Sequence, residues 1–461
     1  MSRPLVLAVA LALGACAGAP RPQHVAVVPP VPSSWPVGDA YLAQSEAALP
    51  LVSYRQVFTD ARLQALVEQA LANNRDLRVA AANIAEARAR VRLARSAELP
   101  EVGAGASADV SSRNGASRFT LDGGVSGFEL DLFHRLANAT AAERERALAT
   151  EAAARTVRLS LVADLADAWA AYGADRELLA IARNTVVNAG RSVQLTRARL
   201  EGGIAPRTDL RQAEQVLASA QGDVALRTTA LAQDANLVAL LVGAPIGEAL
   251  LPANLAEVAG GVAALPAGTS SEVLLRRPDV IEAEYRLRAA AADIAAARSE
   301  LFPRIDLTGL LGLASSALGS LLSGEAFSAS AGAGISYAIF DAGGRRAQVA
   351  VTQTQRDAAL AGYERTIQAA FREVADALAV QGRIGERLRA ASADTAAATD
   401  TAQLTEARYR GGVESFLASL DAQRSLYAAQ QAEIAVRLDL ARNRIALYRA
   451  LGGDQATPRP A

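Results

Sequence analysis

Cys16 is the only thiol in the chain, and it follows Leu13-Gly14-Ala15 at the end of a nine-residue apolar run from Leu5 to Leu13. A basic residue at Arg3, an apolar stretch of that length and small residues before a cysteine form the pattern of a bacterial lipoprotein signal. The chemistry expected there is acylation: cleavage before Cys16, then diacylglycerol on the thiol and further acyl chains of the palmitate kind. One chain holds a membrane only marginally, whereas two or three anchor stably. Ala17, standing where an aspartate would retain such a lipoprotein at the inner membrane, directs it to the outer one. An ordinary signal peptide with an incidental cysteine is the plainer alternative.

No other residues gather into a reactive set. The two histidines are His24, in a proline-rich stretch, and His134, ahead of a long helical pattern. Neither has a nucleophile pattern beside it. Carboxylate pairs such as Asp164 and Asp167 fall where a helix carries its solvated charge. The glycine-rich stretches alternate with β-type residues and match neither a P-loop nor a dinucleotide fingerprint. Catalysis is therefore not expected, nor is a metal, nor any cofactor beyond the covalent lipid on Cys16. The 47 basic residues, all arginine, balance 48 acidic ones, so no nucleic-acid surface is expected. The one methionine is Met1, which leaves no thioether relay for soft metal ions.

The elements that carry these residues are unusual. Aromatics are 4% of the chain, and alanine runs through nearly every segment. Small residues at that density suit close packing of helices or strands in an elongated assembly better than a bulky globular core. The longest apolar run is the N-terminal one, so no spanning helix is expected downstream. Six prolines between Pro20 and Pro36 mark an extended linker.

The body repeats itself. Pro100 answers Pro303, Phe133 answers Phe340, Gly202-Gly203-Ile204 answers Gly411-Gly412-Val413, and Gly243 answers Gly452, in the same order and about 200 residues apart. Each half reads helix, strand, strand, long helix, tight turn, helix. The first helix is expected from about 61 to 98, with a seam of Leu63, Ala70, Leu77, Ile84 and Val91. The long helix carries Leu165, Tyr172, Leu179, Val186, Val193 and Leu200, and its partner Leu210, Leu217, Val224, Leu231 and Val238. Such heptads specify coiled-coil-like packing. A helix from 134 to 201 would be on the order of 100 Å long.

Four stretches alternate with a period of two. Val102 to Val110 places alanines and valines opposite glycine, serine and aspartate, and Ile305 to Leu313 and Phe327 to Ile339 do the same. Arg118 to Asp131 is the fourth and the least regular. About ten residues is the length of a tilted strand that crosses a bilayer, with one face for lipid and the other for water. Four strands cannot close a barrel, and lipid tolerates no open sheet edge. Strands that span therefore require several subunits. Heptads alone would equally suit a peripheral coiled-coil scaffold, which leaves the four strands without a role.

Five motifs resemble those of the TolC-type outer-membrane efflux factors, nearest the lipoprotein branch known as NodT-type or OprM-like. They are Leu275-Arg276-Arg277-Pro278-Asp279-Val280 with Ala283-Glu284, then Leu301-Phe302-Pro303-Arg304-Ile305, Phe340-Asp341-Ala342-Gly343-Gly344-Arg345, Ala370-Phe371-Arg372-Glu373-Val374, and Arg408-Tyr409-Arg410-Gly411-Gly412-Val413 followed by Leu420-Asp421-Ala422-Gln423-Arg424. The likeness runs from about residue 30 to 452. The first half departs more: Phe133-His134-Arg135 stands where the family often has Trp-Gly-Arg.

The resemblance implies an α+β membrane protein, a homotrimer whose protomers each give four strands to a twelve-stranded transmembrane β-barrel and long helices to a periplasmic α-barrel. It implies an exit duct of a tripartite efflux pump that passes small molecules such as antibiotics. Its partners would be a periplasmic adaptor (membrane fusion) protein, a resistance–nodulation–division transporter of the inner membrane and outer-membrane lipid, with no nucleic acid. A duct for type I secretion or metal-ion efflux is the alternative. By position in the matched motifs, Leu417 and Asp421 form the periplasmic constriction, with Tyr409 and Arg410 as restraining partners. The turns Gly202, Gly203, Ile204 and Gly411, Gly412, Val413 meet the adaptor. A three-fold ring of aspartates would favour cations.

The expected organisation is a lipoprotein signal over 1–15, a lipidated linker over 16–60, a first repeat over 61–243, an inter-repeat linker over 244–271, a second repeat over 272–452 and a tail over 453–461.

Overall fold

The computed structural model describes residues 31, 32, 34–36, 41, 53–110, 117–263 and 271–453. Cys16, the signal over 1–15, most of the 16–60 linker and all but the first residue of the tail lie outside the described residues.

In chain order the helices are α1 (Tyr54–Val57), α2 (Ala61–Asn73), α3 (Arg75–Ser96), α4 (Arg135–Glu201), α5 (Arg207–Val242), α6 (Leu255–Gly261), α7 (Pro278–Ser299), α8 (Gly344–Arg410) and α9 (Phe416–Ala450). The strands are β1 (Val102–Val110), β2 (Ser117–Glu129), β3 (Arg304–Ser315) and β4 (Phe327–Ser336). Among the described residues no helix is long and apolar enough to cross a membrane. Contacts divide the chain into two compact units. One is built from Ala81–Ala153 and Asp279–Thr366, and the other from Pro30–Ala80, Ala154–Pro278 and Ile367–Ala461.

The first unit holds the strands, which form one antiparallel sheet in the order β1-β2-β3-β4. The register realises the alternation of the sequence. Ala106, Leu121, Leu313 and Phe327 stand side by side on one face, and Gly105, Asp122, Gly312 and Ser328 form the adjacent rung on the other. A bulge lies between Val125 and Phe128, where Gly127 takes a φ of 65° and its N–H donates to Thr308 Oγ1 at 3.2 Å. That extra residue explains why β2 read as the least regular strand. β4 ends at Ser336, so Tyr337 and Ile339, expected in the strand, lie beyond it.

The strand–helix junctions of this unit use the motif residues. Phe302 stacks on Phe133 with ring centroids 4.6 Å apart, and Ser299 Oγ donates to the Phe133 carbonyl at 2.7 Å. Asp341 accepts from the Gly343 and Arg345 N–H groups, which caps the start of α8. His134 has a φ of 61°, left-handed backbone that glycine adopts without steric cost. It is the position where the family pattern places glycine.

In the second unit, the single first helix expected over 61–98 is two helices. Asn74, with ψ of 137°, interrupts it. Its Oδ1 accepts from the Asp76 and Leu77 N–H groups, and its Nδ2 donates to the Leu241 carbonyl at 2.9 Å. The asparagine caps α3 and ties it to the end of α5 at once. The segment expected as an inter-repeat linker carries α6 and docks on α4. Trp169, fully buried, donates Nε1–H to the Leu250 carbonyl at 3.0 Å. A Cβ on Gly173 would fall 2.9 Å from Val258 Cγ2, so only glycine admits this approach.

Two motifs meet in this unit. Arg277 of the Leu275–Val280 motif is buried, and it donates Nη1–H to the Ala450 carbonyl at 2.7 Å and Nη2–H to Glu373 Oε2 at 2.9 Å. Glu373 belongs to the Ala370–Val374 motif, whose Phe371 stacks on Trp35 at 4.9 Å. Residues that carry the resemblance are here the residues that fasten α8, the end of α9 and the N-terminal segment together.

Candidate functional site at the helix turns

The second unit contains both tight turns, one joining α4 to α5 and one joining α8 to α9. Three of their backbone hydrogen bonds correspond, and the first turn adds one from Ala205 N–H to the Arg199 carbonyl at 3.2 Å. Gly202 N–H and Gly411 N–H each donate to a carbonyl four residues back at 3.0 Å. Ile204 N–H reaches the Arg199 carbonyl at 2.8 Å, and Val413 N–H the Arg408 carbonyl at 2.9 Å. Gly203 and Gly412 have φ of 71° and 74°, the left-handed C-terminal stop that glycine takes without strain. Ile204 and Val413 are 78% and 69% exposed, so each turn presents an apolar side chain to solvent. The next helix starts differently in the two halves. Ser415 caps α9 by accepting from Ala418 N–H, whereas Pro206 starts α5 without a side-chain cap.

Leu417 and Asp421 lie one helical turn apart on α9 and are both exposed. Phe416 and Leu420, their neighbours in sequence, face the other way and are buried. They join Val193, Leu210, Ala213 and Tyr409 in an apolar cluster that draws on α4, α5, α8 and α9. Tyr409 is buried with its ring 5.4 Å from that of Phe416, and its hydroxyl has no hydrogen-bond partner among the described residues. Arg410 is exposed and pairs with Glu406 of its own helix.

Of the residues singled out from sequence, the two turns, Tyr409, Leu417 and Asp421 thus share one end of one unit, and Arg410 sits among them. Sequence reasoning missed Arg199. Its Nη2–H donates to the carbonyls of Tyr409 and Arg410 at 3.0 and 3.2 Å, and its guanidinium lies 4.4 Å from the Tyr409 ring centroid. The duplication held the signal, since Arg199 occupies in the first turn the place of Arg408 in the second.

The second unit also carries a titratable pair apart from the turns. Asp234 on α5 hydrogen-bonds with Asp175 on α4, and one of its carboxylate oxygens is buried without a hydrogen-bond partner among the described residues. Burial, reinforced by the Asp175 charge, pushes the Asp234 carboxyl up to about 7. Arg227 pairs with Asp175 at 3.1 Å and Arg442 with Asp167 at 2.8 Å, so the nearby cations are already engaged. The folded state therefore binds this proton more tightly than the unfolded chain does. Stability is full below about pH 4, falls as pH rises towards 7, and levels above. The pair is part-exposed, so solvent screens most of the cost, and about 1 kcal/mol remains. Asp234→Asn, whose amide replaces the shared proton, should melt roughly 2–4 °C above wild type at pH 8. At pH 4 the two should melt together in a thermal scan of the detergent-solubilised protein.

Comparison with known proteins places this arrangement. A family model described as outer membrane efflux protein matches residues 66–244 and 269–453. The solvent efflux pump outer membrane protein SrpC of Pseudomonas putida is 38% identical over 455 residues, covering 96% of each chain. The cation efflux system protein CusC of Escherichia coli K12 is 36% identical over 462 residues, covering 97% of this chain and 98% of that one. Among solved structures, the open state of the Neisseria gonorrhoeae MtrE outer membrane channel superposes with a TM-score of 0.84 at 31% identity, over 95% of this chain and 98% of that one. With both halves matched by the family model and relatives aligned over nearly their whole lengths, the chain belongs to the outer membrane efflux protein family, as an outer-membrane component of a Gram-negative efflux system.

Proposed function

We propose that the protein is the passive exit duct of a tripartite efflux pump, working as a homotrimer. The observation that carries this is the sheet. β1 and β4 are its outer strands and are exposed along their whole lengths. Each leaves one row of backbone N–H and C=O groups without a ladder partner. In a bilayer every such group must be satisfied, so the open edges have to close on copies of themselves. Three protomers would give twelve strands, an even number above the smallest membrane barrels.

The helix turns then face the periplasm, where they meet an adaptor protein linked to an inner-membrane transporter of the resistance–nodulation–division class. Leu417 and Asp421 narrow the pore, with three aspartates in a ring, and Tyr409 and Arg410 hold the turn from behind. Cys16 carries the lipid that tethers the rim; the intact mass of the purified protein reads that acylation directly. The cargo is small organic molecules. The relatives include pumps named for solvent, toluene, antibiotic and cation efflux, at closely similar identities. With no methionine after Met1, a thioether relay for soft metal ions has no ligands in this chain.

Single-channel recording of purified trimers in planar bilayers tests the reading. Discrete cation-selective openings are expected. Asp421→Ala should raise conductance and lower cation selectivity, because the anionic ring is gone. Protein released from membranes by salt alone, with no conductance, would remove the channel proposal. Currents unchanged in Asp421→Ala would move the constriction elsewhere.

A further inference from the structure

The second unit holds a cavity of about 390 Å³ between α4, the end of α8 and the start of α9. Leu195, Phe416 and the ring of Tyr409 give it apolar walls, and the last two are buried. Arg191, Ser419 and Gln423 supply polar groups to the same lining. A hollow of this size, apolar with a few convergent polar groups, is the form that small-molecule sites take.

The charge in the lining is uneven. Arg410 also borders the cavity, but Glu406 of its own helix pairs with it. Arg191 is exposed and has no ion pair among the described residues, which leaves one uncompensated positive charge. The Tyr409 hydroxyl is buried without a hydrogen-bond partner among the described residues. Such a group is costly until an acceptor reaches it.

These features select the guest. A guanidinium takes a carboxylate in two parallel charge-assisted hydrogen bonds. An organic cation would meet two arginines and one carboxylate that is already engaged. A wholly apolar molecule would leave Arg191 idle. A flat apolar body that ends in a carboxylate matches both the walls and the charge. Phe416 and Ser419 are buried, whereas Leu417 and Asp421 of the same stretch of α9 are exposed. The cavity therefore lies on the far side of α9 from the face assigned to the constriction.

We propose that this cavity is a binding site for small aromatic carboxylates, one per protomer, in which Arg191 holds the carboxylate. The site does not depend on the duct reading.

4-Benzoylbenzoate, a two-ring carboxylate whose ketone cross-links under ultraviolet light, is the probe, and its neutral amide is the comparison. Calorimetric titration of the full-length protein in lipid nanodiscs gives both affinities, and peptide mapping after irradiation gives the place. The carboxylate should bind saturably and about tenfold tighter than the amide, the worth of a charge-assisted hydrogen bond. Labels should fall in residues 188–196 and 405–424. Arg191→Gln, a change between good helix formers at an exposed site, should weaken the carboxylate about tenfold. It should leave the amide within about twofold, because no charge is lost to that ligand. Arg424 is an exposed arginine of α9 outside this lining. Unchanged binding in Arg424→Gln would show that general attraction to a basic surface is not the cause, and equal weakening there would overturn the site. Equal affinities for carboxylate and amide would overturn it too, as would undiminished carboxylate binding in Arg191→Gln. Labels in the sheet or scattered along every helix have the same force. No binding at millimolar probe would also overturn the proposal, and would mean that the next protomer fills the cavity.

Discussion

Replacing Gly124 by alanine is expected to cut the yield of assembled barrel more than tenfold, the largest effect of any single methyl group in the sheet. A Cβ at this position would lie 2.1 Å from the Gly309 carbonyl oxygen and 3.0 Å from Leu310 Cα. Both are backbone atoms of β3, so no side-chain rotation relieves the clash. Gly124 also has a φ of 152°, which disfavours any L side chain. The β2–β3 ladder would have to open at its middle, and in lipid each unpaired backbone group costs several kcal/mol. Gly103, directly across the ladder in β1, is the control: among the described residues a Cβ there meets nothing within 4 Å. Heat-modified mobility of detergent-extracted protein reads both variants. Gly103→Ala should give wild-type trimer, and Gly124→Ala almost none. Equal yields would mean that β2 and β3 are not packed as described.

The second large effect is expected at Arg277. Truncation to alanine leaves the Ala450 carbonyl without its donor inside the unit and returns the half-exposed Glu373 to solvent, a loss of roughly 1.5–3 kcal/mol for hydrogen bonds made by a buried charged group. Arg276, one residue earlier in the same motif, is exposed, and its truncation should stay within about 0.5 kcal/mol. Thermal unfolding of the two variants side by side separates them. A small shift for Arg277→Ala would show that neighbouring groups re-form its bonds. Arg277→Lys should recover less than half the loss, since a point charge cannot span the carbonyl and the carboxylate together.

The contrast between Arg276 and Arg277 shows where sequence reading stops. The heptads announced long helices because the apolar period is a local property, and α4 runs over the expected stretch with Leu165, Tyr172, Leu179 and Val193 buried. The alternation announced the strands for the same reason. What was not legible depended on partners far away in the chain. Asn74 breaks the first helix because its side chain finds the Leu241 carbonyl 167 residues on. β4 stops at Ser336 although the alternation continues to Ile339. The motif at Leu275–Val280 is visible as a resemblance, but only the folded chain shows that its second arginine is buried and its first is not.

The turns teach the same lesson. Their glycines were legible, since a Gly-Gly pair between two heptad runs has few other uses. Leu417 and Asp421 stood out by their position in the matched motif, and the fold adds that both lie on the exposed face of α9. Arg199 was not singled out, because its partners are backbone carbonyls of the other repeat, and a carbonyl leaves no mark in the sequence.

β2 and β3 are adjacent in the sheet, yet Leu130–Pro303 separates them along the chain. The hairpins β1–β2 and β3–β4 close over short loops and can form as soon as each is synthesised. The seam between them must wait for most of the first repeat, because loop closure over so long a span is slow. During that wait each hairpin exposes apolar faces and unpaired edges in water. A chaperone that shields hairpins in the periplasm would thus act on the seam, and the time it holds the chain would set how many protomers reach the membrane competent to pair.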